Sequence, residues 1–433
     1  MIGTSALGWL AKPVLEVFPT GPVKGSVEAP SSKSLTNRLL VIAALAEGQS
    51  VLSRVLQSDD TFAMAAALRG LGARIETSAT LTTINGTSGR IVASGTPLNA
   101  GLSGTTLRFL CAVALLANGT MVLDGEGPLR HRPIAPLLDA LREAGAEVLS
   151  DSGRPPLQIS GHGLAGGPLR VDASASSQFA TALLLVGPYA DKDLVLEVTG
   201  LEELGYVRLT LDAMARWGAS VVEEDTARFR VGAGARYVAR SEAVEHDASA
   251  ASHLYAFAVA TGGSVTVTNA LETAQPDGCL VEVLAAMGAS FIRSETGTTL
   301  ERSGELTGVE VDLASMPDQV PTIAVLGALA KGDTVIRGAA IVRGHESDRI
   351  AAVARELVRL GARVDELPDG LVIHGGTPLH GGRVQTYHDH RIAMAFTALG
   401  AAVPGIEISD PGCVAKTYPL FFSDVIGLGV RIA

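Results

Sequence analysis

The 433-residue chain is poor in the features that mark secreted, membrane-bound or nucleic-acid-coating proteins. Its three cysteines, Cys111, Cys279 and Cys413, lie far apart, which leaves neither a Cys-x-x-Cys metal signature nor an even disulfide framework and fits a reducing cytoplasm. All three are expected to be buried small apolar residues. Aromatic residues make up 4% of the chain, and 34 Lys+Arg face 45 Asp+Glu, for a net charge of −11. So few cations and stacking surfaces do not coat a phosphate backbone, so nucleic acid is excluded as a general partner and an anionic ligand must be held by a local cluster. The longest apolar runs, LLVIAALA and FLCAVALLA, are too short for about 30 Å of hydrocarbon. The first twenty residues lack the basic segment, long apolar run and small-residue cleavage site of a secretory signal. A cytoplasmic protein with no membrane partner is expected.

What the chain does have is a repeat. A helical pattern ending in a glycine turn recurs six times, with turn glycines Gly72, Gly145, Gly218, Gly288, Gly361 and Gly429 at intervals of 68–73 residues. Each copy reads as an amphipathic helix stopped by glycine, then a short β-type run such as ARIE or AEVL. A second series is interleaved with it, anchored at Lys33, Gly104, Ser177, Ser249, Asp318 and His390 at intervals of 69–73 residues. These helices are apolar nearly all round, which predicts buried helices rather than surface ones. The pattern predicts an α/β protein of six units of about 70 residues, each with one buried helix, one amphipathic helix and several short strands, grouped into two similar lobes. The boundary is expected near Val244 to Asp247, with residues 24–243 as the first lobe and 1–23 plus 244–433 as the second.

The starts of the buried helices carry the chemistry. Helix N-termini present unsatisfied N–H groups and a partial positive charge, so they suit anions. Here those turns read Ser31-Ser32-Lys33-Ser34, Gly101-Leu102-Ser103-Gly104-Thr105, Ser174-Ala175-Ser176-Ser177-Gln178, Asp247-Ala248-Ser249, Pro317-Asp318 and His388-Asp389-His390-Arg391. Taken singly, the Ser and Asp residues read as N-caps. Their company points further, because Lys33, Arg38 and Arg391 are cations in segments otherwise built for burial. Loops ahead of amphipathic helices add Arg130-His131-Arg132, Arg343-Gly344-His345-Glu346-Ser347-Asp348-Arg349 and Lys416-Thr417-Tyr418. Arginine is the residue best shaped for carboxylates and phosphates. The triplet His388-Asp389-His390 has poor ligand spacing and no evident fourth ligand, so no metal site is expected.

The segments PSSKSLTNR, SDDT, GTTLRF, RPIAPLLDALR, SSQFATALLL, MPDQVPTIA, HESDRI, DHRIAMA and KTYP together resemble the 5-enolpyruvylshikimate-3-phosphate synthase family, in the family's order, from about Lys24 to Phe422. The resemblance implies a two-lobed inside-out α/β barrel of six βαβαββ units, three per lobe. It also implies transfer of the enolpyruvyl group of phosphoenolpyruvate to the 5-hydroxyl of 3-phosphoshikimate, with release of phosphate, by a monomer that uses no metal or organic cofactor. By position, Lys33, Ser34, Arg38, Ser176, Ser177, Gln178, Asp318 and His345 match the 3-phosphoshikimate site. Lys33, Gly104, Arg132, Gln178, Arg349, Arg391 and Lys416 match the phosphoenolpyruvate site. Asp318 and Glu346 match the carboxylates nearest the transferred protons, with Asp318 a candidate base and Lys33, Glu346, Lys416 or His390 candidate donors. Residue types alone leave open which group does which job.

Several positions depart from the family's pattern. Ser32 replaces a usual glycine, Leu102 stands where many members have asparagine, and Ile341 and His345 replace asparagine and lysine on the acceptor. His345 is read as a substitute ligand. Glu203 aligns where a phosphate-contacting serine is common, so either the loop register shifts, making Tyr206 the hydroxyl donor, or the acceptor differs. A paralogous transferase acting on a nucleotide or nucleotide-sugar is the alternative. Against the nucleotide-sugar case, Asp124 to Arg132 reads DGEGPLRHR, without the cysteine such enzymes carry there. A non-catalytic or RNA-end-processing protein built on the same repeat is disfavoured by the acidity and by retention of the Arg and Lys set.

Overall fold

The computed structural model describes residues 8–201 and 203–433; residues 1–7, assigned above to the second lobe, lie outside the described residues. Twelve α-helices occur among the described residues: α1 (Lys33–Leu45), α2 (Asp59–Gly70), α3 (Gly104–Val113), α4 (Ala135–Glu143), α5 (Gln178–Val186), α6 (Gly205–Arg216), α7 (Ala248–Thr261), α8 (Leu280–Ala286), α9 (Val320–Leu329), α10 (Arg349–Arg359), α11 (His390–Gly400) and α12 (Phe421–Gly427). The odd-numbered helices are the apolar series. Every residue of α3 and of α11 is buried, as expected for a helix with no polar stripe. The even-numbered helices bury one face. In α4, Leu137, Leu138, Ala140 and Leu141 are buried while neighbouring polar positions face water.

The repeat is visible in one backbone angle. The six turn glycines have φ between 94° and 104°, a region that costs any residue with a Cβ, so the chain uses glycine at the same turn in every copy. Each turn leads into a strand, and six four-stranded sheets result. All share one pattern. Gly167–Asp172 runs parallel to Leu194–Thr199, which pairs antiparallel with Arg228–Val231, which pairs antiparallel with Val221–Asp225.

The chain divides into two compact units, one of Ser31–Glu245 and one of the described residues up to Pro30 with His246–Ala433. Each has its own hydrophobic core, in which three odd-numbered helices pack on one another inside three sheets. Lys24–Val27, expected to open the first lobe, instead runs parallel to Ser264–Val267 in the unit that holds the C-terminus. Ser241–Ala243 correspondingly pairs with Val51–Ser53 in the other unit. Each unit's sheet therefore takes the strand that leads into the other unit's first helix. Ser32 N donates to Glu245 O at 2.8 Å, and Asp247 N donates to Pro30 O at 2.8 Å, which anchors the two crossings inside their own units.

After the sixth turn, at Gly429, the central strand of the sheet comes from far away in sequence. Val14–Phe18 supplies it, pairing antiparallel with both Ile406–Ser409 and Arg431–Ile432. The cysteine expectation fails at one position: Cys111 is buried and Cys413 half-buried, but Cys279 is exposed on a 3-10 turn. No helix among the described residues is long and apolar enough to cross a membrane.

Candidate active site

In the unit of Ser31–Glu245, capping and candidate binding roles fall on adjacent residues. Ser32 and Ser103 cap α1 and α3 by accepting from Leu35 N and Thr106 N, both at 3.2 Å. Lys33 and Gly104 are then the first helical residues. Lys33 Nζ lies 3.3 Å from Asp60 Oδ2, an acid in the first turn of α2, where the helix dipole favours a carboxylate. Arg38, one helical turn further along α1, is 2% exposed. Its guanidinium donates to Thr210 Oγ1 at 2.8 Å, Ser34 O at 2.8 Å, Tyr206 O at 3.1 Å and Thr181 Oγ1 at 3.4 Å, all neutral acceptors. Burial pulls its pKa down to about 10, with Tyr206 opposing. A buried cation hydrogen-bonded to uncharged groups is suited to an incoming anion.

Around the start of α3 a second set converges. A Cβ on Gly104 would lie 2.9 Å from Arg132 Nη1 and 3.2 Å from Arg108 Nη1, so both guanidinium groups approach where only glycine leaves room. Arg108 Nη1 donates to Gln178 Oε1 at 2.7 Å, and Gln178 Nε2 donates to Thr105 Oγ1 at 3.1 Å. Ser176 Oγ accepts from Gln178 N at 3.3 Å. Gly104, Arg132, Gln178 and Ser176 are thus brought together at the starts of α3 and α5, with Ser177 as the residue before α5. Leu102 is exposed, and so is Glu203, on the turn before α6. The Tyr206 ring lies 6.0 Å from the Arg38 guanidinium.

In the other unit, Arg349 organises the candidates. It opens α10, is 1% exposed on its side chain, and is bonded to three carboxylates. Its Nε donates to Asp389 Oδ2 at 2.7 Å, its Nη1 to Asp318 Oδ1 at 2.6 Å and its Nη2 to Glu346 Oε2 at 2.9 Å. Asp389 also caps α11 by accepting from Arg391 N at 3.0 Å. Arg391 Nη2 donates to Asp318 Oδ2 at 2.7 Å, and Lys416 Nζ to Glu346 Oε1 at 2.6 Å. His345 Nδ1 lies 3.5 Å from Asp318 Oδ1 and 3.2 Å from Arg349 Nη1. Burial alone would raise the Asp318 carboxyl, but Arg391, the His345 hydrogen bond and Arg349 overcome it and hold it well below the usual aspartate range. Burial lowers His345, with Asp318 opposing, so its imidazole is disposed to stay neutral.

Asp318, His345, Glu346, Arg349, Arg391 and Lys416 therefore form one hydrogen-bonded cluster. His390 is buried beside it, its ring 3.9 Å from Asp389, beyond hydrogen-bond range. Ile341 packs against the core of its unit. Among the described residues, no group of three or more His, Cys, Asp or Glu is placed to hold a metal ion; His388 pairs instead with Asp410 at 2.6 Å.

Three participants do not stand out in the sequence. Arg108 orients Gln178, and its signal is a lone cation inside the apolar run LRFLCAVALL. Asp60 is the partner of Lys33 and lies in the SDDT segment. Asp389 is the innermost counter-ion of Arg349, and in the sequence it reads only as a cap or a poor metal ligand.

The chain matches the family model described as EPSP synthase (3-phosphoshikimate 1-carboxyvinyltransferase) over residues 17–425. It is 41% identical over 408 residues to a 3-phosphoshikimate 1-carboxyvinyltransferase of Nostoc punctiforme, covering 93% of this chain and 96% of the relative. It is 40% identical over 422 residues to one from Methanoculleus marisnigri, covering 96% and 100%. A solved EPSP synthase from Acinetobacter baumannii superposes with a TM-score of 0.83 at 26% identity, covering 98% of this chain and 99% of that one.

Proposed function

The chain belongs to the EPSP synthase family, and from that membership we propose how its residues serve the transfer of the enolpyruvyl group of phosphoenolpyruvate to the 5-hydroxyl of 3-phosphoshikimate. It is a 3-phosphoshikimate 1-carboxyvinyltransferase of the shikimate pathway. Lys33, Ser34, Arg38, Ser176, Ser177 and Gln178 receive the acceptor, with Asp318 and His345 at its ring. Gly104, Arg132, Arg349, Arg391 and Lys416 receive phosphoenolpyruvate, with Lys33 and Gln178 touching both. The observation that carries this reading is the Arg349 cluster, in which three cations suited to a carboxylate and a phosphate lie within hydrogen-bond distance of the two carboxylates suited to proton transfer.

The chemistry asks for that combination. C3 of phosphoenolpyruvate gains a proton as the acceptor hydroxyl attacks C2, and the hydroxyl loses one. General acid–base help of this kind contributes about 10²–10⁴-fold. Asp318 serves as the base, although a carboxylate paired with Arg391 and Arg349 is a weak one. A substrate carboxylate that draws those arginines away strengthens it. Glu346 is the nearest acid, with His390, Lys33 and Lys416 as further donors. No step in this scheme calls on a metal or an organic cofactor. The three free cysteines fit a cytoplasmic enzyme, for which we propose a monomer.

Phosphate release from phosphoenolpyruvate and 3-phosphoshikimate tests the reading. Release that needs both substrates is expected, and Lys33→Ala or Arg132→Ala abolishes it with the circular dichroism unchanged. Background release across a broad pH range with both substrates saturating would overturn it.

A further inference from the structure

Resting on the assignment of Arg349, Arg391 and Lys416 to phosphoenolpyruvate, one feature of the cluster goes beyond it: every one of these cations already has an internal anion. Lys416 is bonded to Glu346, Arg391 to Asp318, and Arg349 to Asp318, Glu346 and Asp389. Three cations thus face three carboxylates, and the cluster is balanced before substrate arrives. The side chains are largely withdrawn from water, with Arg349 and Asp389 at 1% and 0% exposure, Lys416 at 10% and Glu346 at 15%. In the other unit, Lys33, Arg38, Arg108 and Arg132 outnumber Asp60, an excess that the phosphate and carboxylate of the acceptor use up. Phosphoenolpyruvate adds a carboxylate and a phosphate dianion with no spare cation to meet them. An added anion in such a place is tolerated only if a charge elsewhere is neutralised.

The geometry indicates where. Asp389 holds Arg349 from the buried side and also caps α11, so it stays. Asp318 keeps His345, 3.5 Å away, when its arginines turn to substrate. Glu346 has Lys416 and one Arg349 nitrogen as its charged partners, and both face the substrate in the proposed reading. We propose that phosphoenolpyruvate displaces the Glu346 carboxylate from Lys416 and Arg349, and that Glu346 takes up one proton from solvent as it is displaced. The groups facing it are then Asp318, Asp389 and His345 together with the bound anions, a setting in which the neutral acid is the favoured form. Substrate binding thereby loads the proton that the chemistry uses. In the addition that proton passes to C3, C2 bonds to the acceptor oxygen, and the hydroxyl proton goes to Asp318. In the elimination the C2–O bond to phosphate breaks and a methyl proton returns to Glu346. Glu346 gives it up to solvent when phosphate leaves and Lys416 pairs with it again.

The test is calorimetric titration of the full chain with phosphoenolpyruvate at pH 8, where the free substrate has no phosphate proton to lose. Saturating 5-deoxy-3-phosphoshikimate, which lacks the attacking hydroxyl, prevents turnover. Repeating the titration in buffers of different ionisation enthalpy counts the protons, and uptake of about one per phosphoenolpyruvate bound is expected. Glu346→Gln should reduce uptake to near zero and bind phosphoenolpyruvate at least as tightly, since a charged competitor is gone, while turnover falls by roughly 100-fold or more. Binding without uptake, uptake that survives Glu346→Gln, or tenfold weaker binding by that variant would each overturn the proposal. An enzyme that releases phosphate from both natural substrates yet shows such behaviour keeps its proposed function and loses this inference. One that neither turns over nor binds phosphoenolpyruvate loses both.

Discussion

Arg108 Nη1 donates to Gln178 Oε1 at 2.7 Å, which fixes the Gln178 amide with its nitrogen toward Thr105. Arg108 is itself buried, its guanidinium 5.4 Å from the Phe179 ring centroid. It holds the residue placed between the two substrates without being assigned to either. A hydrogen bond from a charged donor contributes about 1.5–3 kcal/mol, so Arg108→Met should lower kcat/KM for phosphoenolpyruvate roughly 10–100-fold. Steady-state kinetics on a variant with native circular dichroism checks this.

Gly104→Ala places a methyl group 2.9 Å from Arg132 Nη1. The obstruction is the far end of a flexible side chain rather than backbone, so the fold is expected to survive, with a stability change below about 1 kcal/mol. Arg132 must move, and phosphoenolpyruvate loses part of its binding. KM for phosphoenolpyruvate is expected to rise about tenfold or more, with KM for 3-phosphoshikimate nearly unchanged. Equal rises in both would contradict the assignment of Arg132.

Arg349→Met leaves Asp318, Glu346 and Asp389 without the cation they share. Removing one side of a buried ion-pair network costs about 3–5 kcal/mol. Urea unfolding should show that loss in the transition of the unit containing His246–Ala433, with the unit of Ser31–Glu245 unfolding as before. Arg349→Lys keeps the charge but cannot reproduce three directed contacts, so it should recover stability only in part.

The repeat is legible because two physical signals coincide in it. Glycine recurs where φ is positive, and apolar residues encircle every odd-numbered helix. The candidate ligands are legible because buried helices have little reason to begin with Lys33 or Arg391. Pairing is less readable. Lys24–Val27 shows nothing in its own residues that directs it to Ser264–Val267, more than two hundred residues away, since strand pairing depends on what the rest of the sheet offers. Asp389 and Asp60 are obscured for a related reason. An aspartate at a helix start reads as a cap, and only the fold shows that Arg349 or Lys33 comes to it.

His253 of α7 gives the acid limb of stability a specific source. It is fully buried, its Nδ1 is 3.2 Å from Thr322 Oγ1, and its Nε2 has no hydrogen-bond partner among the described residues. Burial, then Arg391 and Arg349, push its pKa well below the usual 6.5, with Asp318 opposing. The unfolded chain therefore binds a proton at this residue that the folded chain refuses. The stability is fully present above pH 6.5 and is lost as pH falls through the window below it. From pH 7.5 to 5 the wild type should lose about 2 kcal/mol more than His253→Gln, read from denaturant unfolding at each pH. His345 is lowered in the same direction and remains in both proteins, so the difference isolates His253.

Val14–Phe18 joins the sixth sheet from the opposite end of the chain. Leu15 and Val17 are completely buried, and Glu16 exchanges two backbone hydrogen bonds with Ala433, at 3.1 and 3.0 Å. Arg431–Ile432 has this strand as its sheet neighbour, so without it both Arg431–Ile432 and one edge of Ile406–Ser409 lose their ladder. Leu15→Ala alone is expected to cost about 2–5 kcal/mol, the usual range for a buried leucine. Deleting residues 1–20 should do more. It leaves open edges beside α11 and α12, and those are the places where proteolysis should first cut the C-terminal segment. Limited proteolysis followed by mass spectrometry distinguishes this from general instability. Early cleavage confined to residues after Gly400 is the expected pattern, and cuts scattered through Ser31–Glu245 at the same protease dose would contradict it.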